Sequence, residues 1–126
     1  MPKALVGCWE ISLQPWHPPM RLAEDTIYST PPKAIEIQGV RGTEAFETRG
    51  WRVRTAPGVP LGVHSFSFVA PLSPDSVRII WTTGFSGLTM LLELRGDTVR
   101  GQAETFWDFD RPHQTADAML TRVPCR

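Results

Sequence analysis

Residues 76–110 read SVRIIWTTGFSGLTMLLELRGDTVRGQAETFWDFD. The segment holds three β-type runs, 77–83, 88–94 and 98–107, joined by Gly84-Phe85-Ser86-Gly87 and by Arg95-Gly96-Asp97. Glycine in a short loop supplies the positive φ that tight hairpins need. Runs joined this closely must lie antiparallel, because a parallel return takes a crossover of a dozen or more residues. Strand alternation then assigns faces. Val77, Ile79, Trp81 and Thr83 share one, as do Leu88, Met90, Leu92 and Leu94. Val99, Gly101, Ala103, Thr105 and Trp107 form the third inner set, with Arg100, Gln102 and Glu104 directed to solvent.

Working outward, residues 4–13 (ALVGCWEISL) form a first strand with Trp9, Gly7 and Ile11 on one face. Residues 14–20 carry three prolines, which exclude helix and central strand. A single turn at 22–25 and a short β-type run at 25–29 precede Pro31-Pro32. Residues 33–38 alternate as a half-buried strand, with Ile35 and Ile37 on its apolar side. Residues 43–48 and 51–55 pair through a turn at Arg49-Gly50, and Trp51 and Val53 point inward. Residues 63–70 form a strand with His64, Phe66 and Phe68 on one face and Ser65 and Ser67 on the other. Residues 71–75 turn into the meander, and 114–123 form the last strand. Eight to ten short strands at roughly ten-residue spacing predict one all-β domain over residues 1–126, a single antiparallel up-and-down barrel.

Composition agrees with a turn-rich β-protein and excludes several classes. Twelve prolines and ten glycines punctuate 126 residues, and no window sustains helical periodicity. Thirteen basic and thirteen acidic residues cancel, so there is no basic stripe for nucleic acid. No apolar run approaches the ~18 residues of a spanning helix. There is no phosphate-binding loop, no G-x-S-x-G and no pattern that calls for a cofactor. Ser86 imitates a nucleophile turn, but it joins strand to strand rather than strand to helix.

The two cysteines, Cys8 and Cys125, stand near the chain ends. They are either a disulfide tying the first strand to the last or two separate buried thiols. A bridge implies an oxidising compartment. Two cysteines this distant in sequence are not a zinc motif. Leu5-Val6-Gly7-Cys8 resembles a bacterial lipobox, but seven residues before Cys8 cannot hold a signal's charged and apolar regions. The reading is a mature secreted or cell-envelope form without its signal.

Gly7-Cys8-Trp9 on the first strand and Arg122 on the last resemble the calycin barrels, the superfamily of lipocalins and fatty-acid-binding proteins. The resemblance implies that Trp9 closes one end of a compact, bacterial lipocalin-like barrel and that Arg122 packs across it. It also implies that the interior binds a small ligand. No T-D-Y-type motif and no paired helical lid accompany it.

On this reading the pocket wall comprises Trp51, His64, Phe66, Phe68, Trp81, Met90, Thr105 and Trp107, together with Val53 and Ala103. Gly101 and Ala103 either leave room for a ligand or relieve crowding where the sheet coils. Plain core packing is the alternative for every aromatic, and a buried neutral histidine is the alternative for His64. Trp16, His17, Phe109 and His113 sit in Pro-flanked loops, suited to rimming a pocket or meeting a partner. The three histidines with Asp108 or Asp110 show no metal-ligand spacing. The expected partner is an apolar or aromatic small molecule. An isomerase or cyclase using His64 or Glu104 is the enzymatic alternative, and an envelope interaction protein, a homo-oligomer joined through an edge strand, is the third reading.

Overall fold

The computed structural model describes residues 3–39, 51–56, 58, 62–64, 66–107 and 113–125. Eight antiparallel strands form one sheet: β1 (Gly7–Leu13), β2 (Ala34–Gly39), β3 (Trp51–Thr55), β4 (Phe66–Ser73), β5 (Ser76–Thr82), β6 (Gly87–Arg95), β7 (Thr98–Phe106) and β8 (Thr115–Val123). Their spatial order is β3-β2-β1-β8-β7-β6-β5-β4. Every consecutive pair is adjacent except β3 and β4, and the first strand pairs with the last. This is an up-and-down barrel, nearly closed. Across the remaining seam Ser67 Oγ donates to the Val53 carbonyl at 3.2 Å. The expected strand at 43–48 and the turn at Arg49-Gly50 lie outside the described residues.

The meander forms as its alternation dictates. Val77, Ile79 and Trp81 on β5, Leu88, Met90 and Leu92 on β6, and Val99, Ala103 and Thr105 on β7 are all buried. Ile35, Ile37, Val53, Ala118 and Leu120 join them in one core. Burying each of the larger apolar side chains contributes roughly 1.5–3 kcal/mol. Gly101 is required here for a local reason. A Cβ at that position would stand 1.8 Å from the Leu91 carbonyl oxygen, closer than any real contact. Its small size therefore relieves crowding between β6 and β7.

Three elements differ from expectation. The first strand begins at Gly7 rather than at Ala4, because Lys3–Leu5 form a short 3-10 turn. Residues expected to form a β-type run at 25–29 instead complete a short helix, α1 (Ala23–Tyr28). The Ser29 hydroxyl donates to the Asp25 carbonyl at 2.7 Å, and the Thr30 hydroxyl donates to the Thr26 carbonyl. The Ser29 backbone N–H reaches the same two carbonyls, at 3.1 and 3.2 Å, so the hydroxyls reinforce the helix end. Pro31-Pro32 then stops the turn. On β4 the strand begins later and runs through Pro71 to Ser73, leaving only Pro74 and Asp75 to turn. Proline is tolerated there because β4 is an edge strand with a register shift between Pro71 and Ser73.

The face of β4 is also reversed. Ser67 and Val69 pair with Trp81 and Ile79, whereas Phe66 and Phe68 pair with Thr82 and Ile80. Directly paired residues share a face, so Ser67 and Val69 point inward with Trp81 and Ile79. Phe66 and Phe68 lie outside, with parallel rings 6.5 Å apart, and Phe66 is 54% exposed. The expectation that both phenylalanines line the interior is therefore corrected. Pairing with β5 decides the face, whereas side-chain apolarity alone favours the opposite choice.

Candidate functional site

One end of the barrel is sealed by the chain termini. Trp9 is buried, and its indole N–H donates to the Leu5 carbonyl at 3.0 Å. The Arg122 guanidinium carbon lies 4.2 Å from the Trp9 ring centroid. Arg122 also donates through Nη1 to the Val6 carbonyl at 3.0 Å and through Nη2 to the Ala4 carbonyl. A cation over an indole is worth about 0.5–1 kcal/mol at an exposed position. The carbonyl bonds fix the short 3-10 turn Lys3–Leu5 as a plug. Cys8 and Cys125 form a disulfide across 117 residues, with Cα atoms 5.3 Å apart. It ties the same two chain ends.

The other end is different. Ile11 and Leu13 continue the Trp9 face of β1, with Leu13 about 13 Å further along at a strand rise of ~3.3 Å per residue. They are only partly buried. Above them lies a recess of about 730 Å³, lined by Ile11, Leu13, Ile27, Val63 and the consecutive prolines 31 and 32. Thr26, Thr30, Lys33 and Gly62 complete its wall. The α1 helix presents Ile27 to this space, and Ile27 and Val63 remain about half exposed. A concave, mostly apolar recess with a few polar groups has the character of a small-molecule site, and its volume falls within the usual ~300–1,000 Å³.

The residues expected to line an interior pocket divide into three groups. Trp81, Met90 and Thr105 point inward and are buried in the core, while Trp51 packs at its edge. Phe66 and Phe68 are outside. His64 is close to the recess but does not line it. Its Nε2 lies 2.7 Å from the Tyr28 carbonyl, so Nε2 carries the proton and donates. Its Nδ1 is buried without a partner among the described residues.

Thr105 and Trp107 spend their polar atoms on Gln114. Gln114 Oε1 accepts from Thr105 Oγ1 at 2.8 Å and from Trp107 Nε1 at 3.0 Å, and the Gln114 backbone N–H donates to Thr105 Oγ1 at 2.8 Å. Gln114 was absent from the expected wall, although it shares the inner parity of Ala116, Ala118 and Leu120.

The remaining candidates are scattered. Trp16 is partly buried and packs against the core. His17 bridges to Thr115. His113 Nδ1 lies 3.1 Å from the exposed Glu104 carboxylate on the outer face. Phe109, Asp108 and Asp110 lie outside the described residues. Neither acid/base candidate, His64 or Glu104, lines the apolar recess. Among the described residues no helix is long and apolar enough to cross a membrane. Comparison with family models, curated proteins and solved structures finds no match for this chain.

The recess residues carried weak sequence signals. Ile11 and Leu13 were visible as the continuation of the Trp9 face. Ile27 was hidden by the expected strand at 25–29. Val63 falls in the run 63–70 that the alternation predicts as strand, whereas β4 begins at Phe66.

Proposed function

We propose that this barrel is a small-molecule-binding module of the lipocalin-like kind, taking an apolar or aromatic ligand at the end remote from Trp9 and Arg122. The observation that carries the reading is the apolar recess over Ile11 and Leu13, roofed by Ile27 and Val63. A half-exposed apolar wall gains roughly 25 cal/mol for every Å² a ligand covers. The Trp9–Arg122 plug covers the opposite end, so the recess is the mouth assigned to the ligand. The Trp9–Arg122 stack and the disulfide support kinship with calycin barrels and residence in an oxidising, extracytoplasmic compartment.

The proposed site differs from the interior pocket that the alternation predicts. The ligand sits over the mouth, while Trp81, Met90 and Thr105 stay packed in the core and do not line the recess. The test is a fluorescence titration with 1-anilinonaphthalene-8-sulfonate, an apolar aromatic probe. The parent protein should enhance its emission with saturation at one probe per chain. Ile27→Asp should weaken binding at least tenfold, while Leu91→Asp on the outer face should leave it unchanged. Absence of binding, or equal loss in both variants, would contradict the assignment.

A further inference from the structure

The fold brings a third ligating group to the cysteine pair. Cys8 on β1 is the direct cross-strand partner of Glu36 on β2, and on its other side Cys8 pairs with Val123, two residues before Cys125. The two sulfur atoms and a Glu36 carboxylate oxygen all lie within 4.8 Å of one another. Sequence spacing does not disclose this set, because 117 residues separate the cysteines and Glu36 belongs to another strand. We propose that reduction of the Cys8–Cys125 bridge uncovers a site for a thiophilic divalent cation of the zinc type, held by two thiolates and the Glu36 carboxylate.

The surroundings suit that role. Zinc takes thiolate and carboxylate ligands in tetrahedral sets, and three protein ligands leave a fourth position for water or a small ligand. The Glu36 carboxylate is already oriented. Its Oε1 accepts from Arg54 Nε and Nη2 at 3.2 and 3.0 Å, and its Oε2 accepts from Gln38 Nε2 at 3.0 Å. Gln38 Oε1 in turn accepts from Arg52 at 3.0 Å. A carboxylate has about four acceptor positions, so Oε2 keeps one for a metal. Hydrogen bonds of this kind orient a ligand and tune its donor strength. Two thiolates and one carboxylate on a divalent cation leave one net negative charge, and Arg54 stands beside it. Cys8 is buried while Cys125 is exposed, which gives the cation an approach from solvent.

The chemistry balances. Two equivalents of a small thiol deliver two electrons and two protons to the sulfur–sulfur bond and leave as their own disulfide. The cation then displaces the two cysteine thiol protons to solvent as both sulfurs bind. The bridged form offers no thiolate, so the same site is closed under oxidising conditions.

Cadmium, whose thiolate complexes absorb in the ultraviolet, tests the proposal. The chain is reduced with a phosphine, freed of reductant without air, and titrated with cadmium. The expected result is a charge-transfer band that saturates at one cadmium per chain, is missing from the oxidised protein, and is competed by zinc. Glu36→Gln should lower the affinity at least tenfold, since it removes a charged ligand while keeping the side chain's shape. No band, or saturation at one metal per two chains, overturns the proposal. So does equal affinity in the Glu36→Gln variant, which is also what a chain unfolded by reduction would show, because free thiols would then bind without Glu36.

Discussion

Gly7 and Arg122 compete for the same space. A Cβ on Gly7 would stand 2.7 Å from Arg122 Nη1, and Gly7 itself has φ +131°, a conformation that side chains disfavour. The glycine of the G-x-W therefore serves the arginine that covers the tryptophan. Gly7 and Trp9 on the first strand and Arg122 on the last form one device that closes the barrel end.

Gly7→Ala should accordingly displace the guanidinium from Trp9 and destabilise the fold by about 1–3 kcal/mol. Arg122→Ala should cost a similar or smaller amount, through loss of the stack and of two carbonyl bonds. The two losses should add to less than their sum, because each removes the same contact. A double-mutant cycle by urea unfolding measures this.

Gly101→Ala should be more damaging than Gly7→Ala. The new Cβ would meet backbone on β6, not the movable end of a side chain. Strand separation would have to change along the β6–β7 pair, at the upper end of the ~1–3 kcal/mol typical of overpacking. The urea midpoint reads it directly. An unchanged midpoint would mean that the two strands do not approach as closely as described.

Much of the fold was legible because the meander states its faces plainly. Val77 and Ile79 flank Arg78, Trp81 keeps their parity, and the glycine-bearing turns leave only antiparallel pairing. Trp9 and Arg122 were legible through a resemblance at the chain ends. The site was far less so. Residues 25–29 contain Thr, Ile and Tyr, all strand-favouring, yet back-bonding by Ser29 and Thr30 and the prolines that follow make a helix end there. Phe66 and Phe68 look like core on any apolarity scale, but register with Thr82 and Ile80 places them outside. Register is set by tertiary pairing, and an alternating run does not itself say which face is the inner one.

Thr105→Val tests the buried polar cluster. Valine keeps the shape but leaves the Gln114 backbone N–H without the acceptor it has in Thr105. The expected cost is about 1–3 kcal/mol, the range for a buried group left unpaired. Trp107 shares Gln114 Oε1, so its fluorescence should shift in the folded variant. Unchanged stability and emission would show that the cluster carries no weight.

Reducing the bridge in metal-free buffer should lower stability by about 4–5 kcal/mol on the chain-entropy account, because the closed loop spans nearly the whole protein. Urea unfolding with and without reductant measures the difference. A loss below about 1 kcal/mol would show that the Trp9–Arg122 plug and strand pairing hold the chain ends without help.

The central claim is that the ligand sits at the mouth over Ile11 and Leu13. Amide chemical-shift mapping during titration with 1-anilinonaphthalene-8-sulfonate tests it most directly. The account predicts saturable shifts concentrated at Ile11, Leu13, Thr26, Ile27 and Val63, with Trp9 and Arg122 at the sealed end unmoved. Shifts centred instead on the outer face around Leu91 and Met119, or no saturable shifts at all, would contradict it.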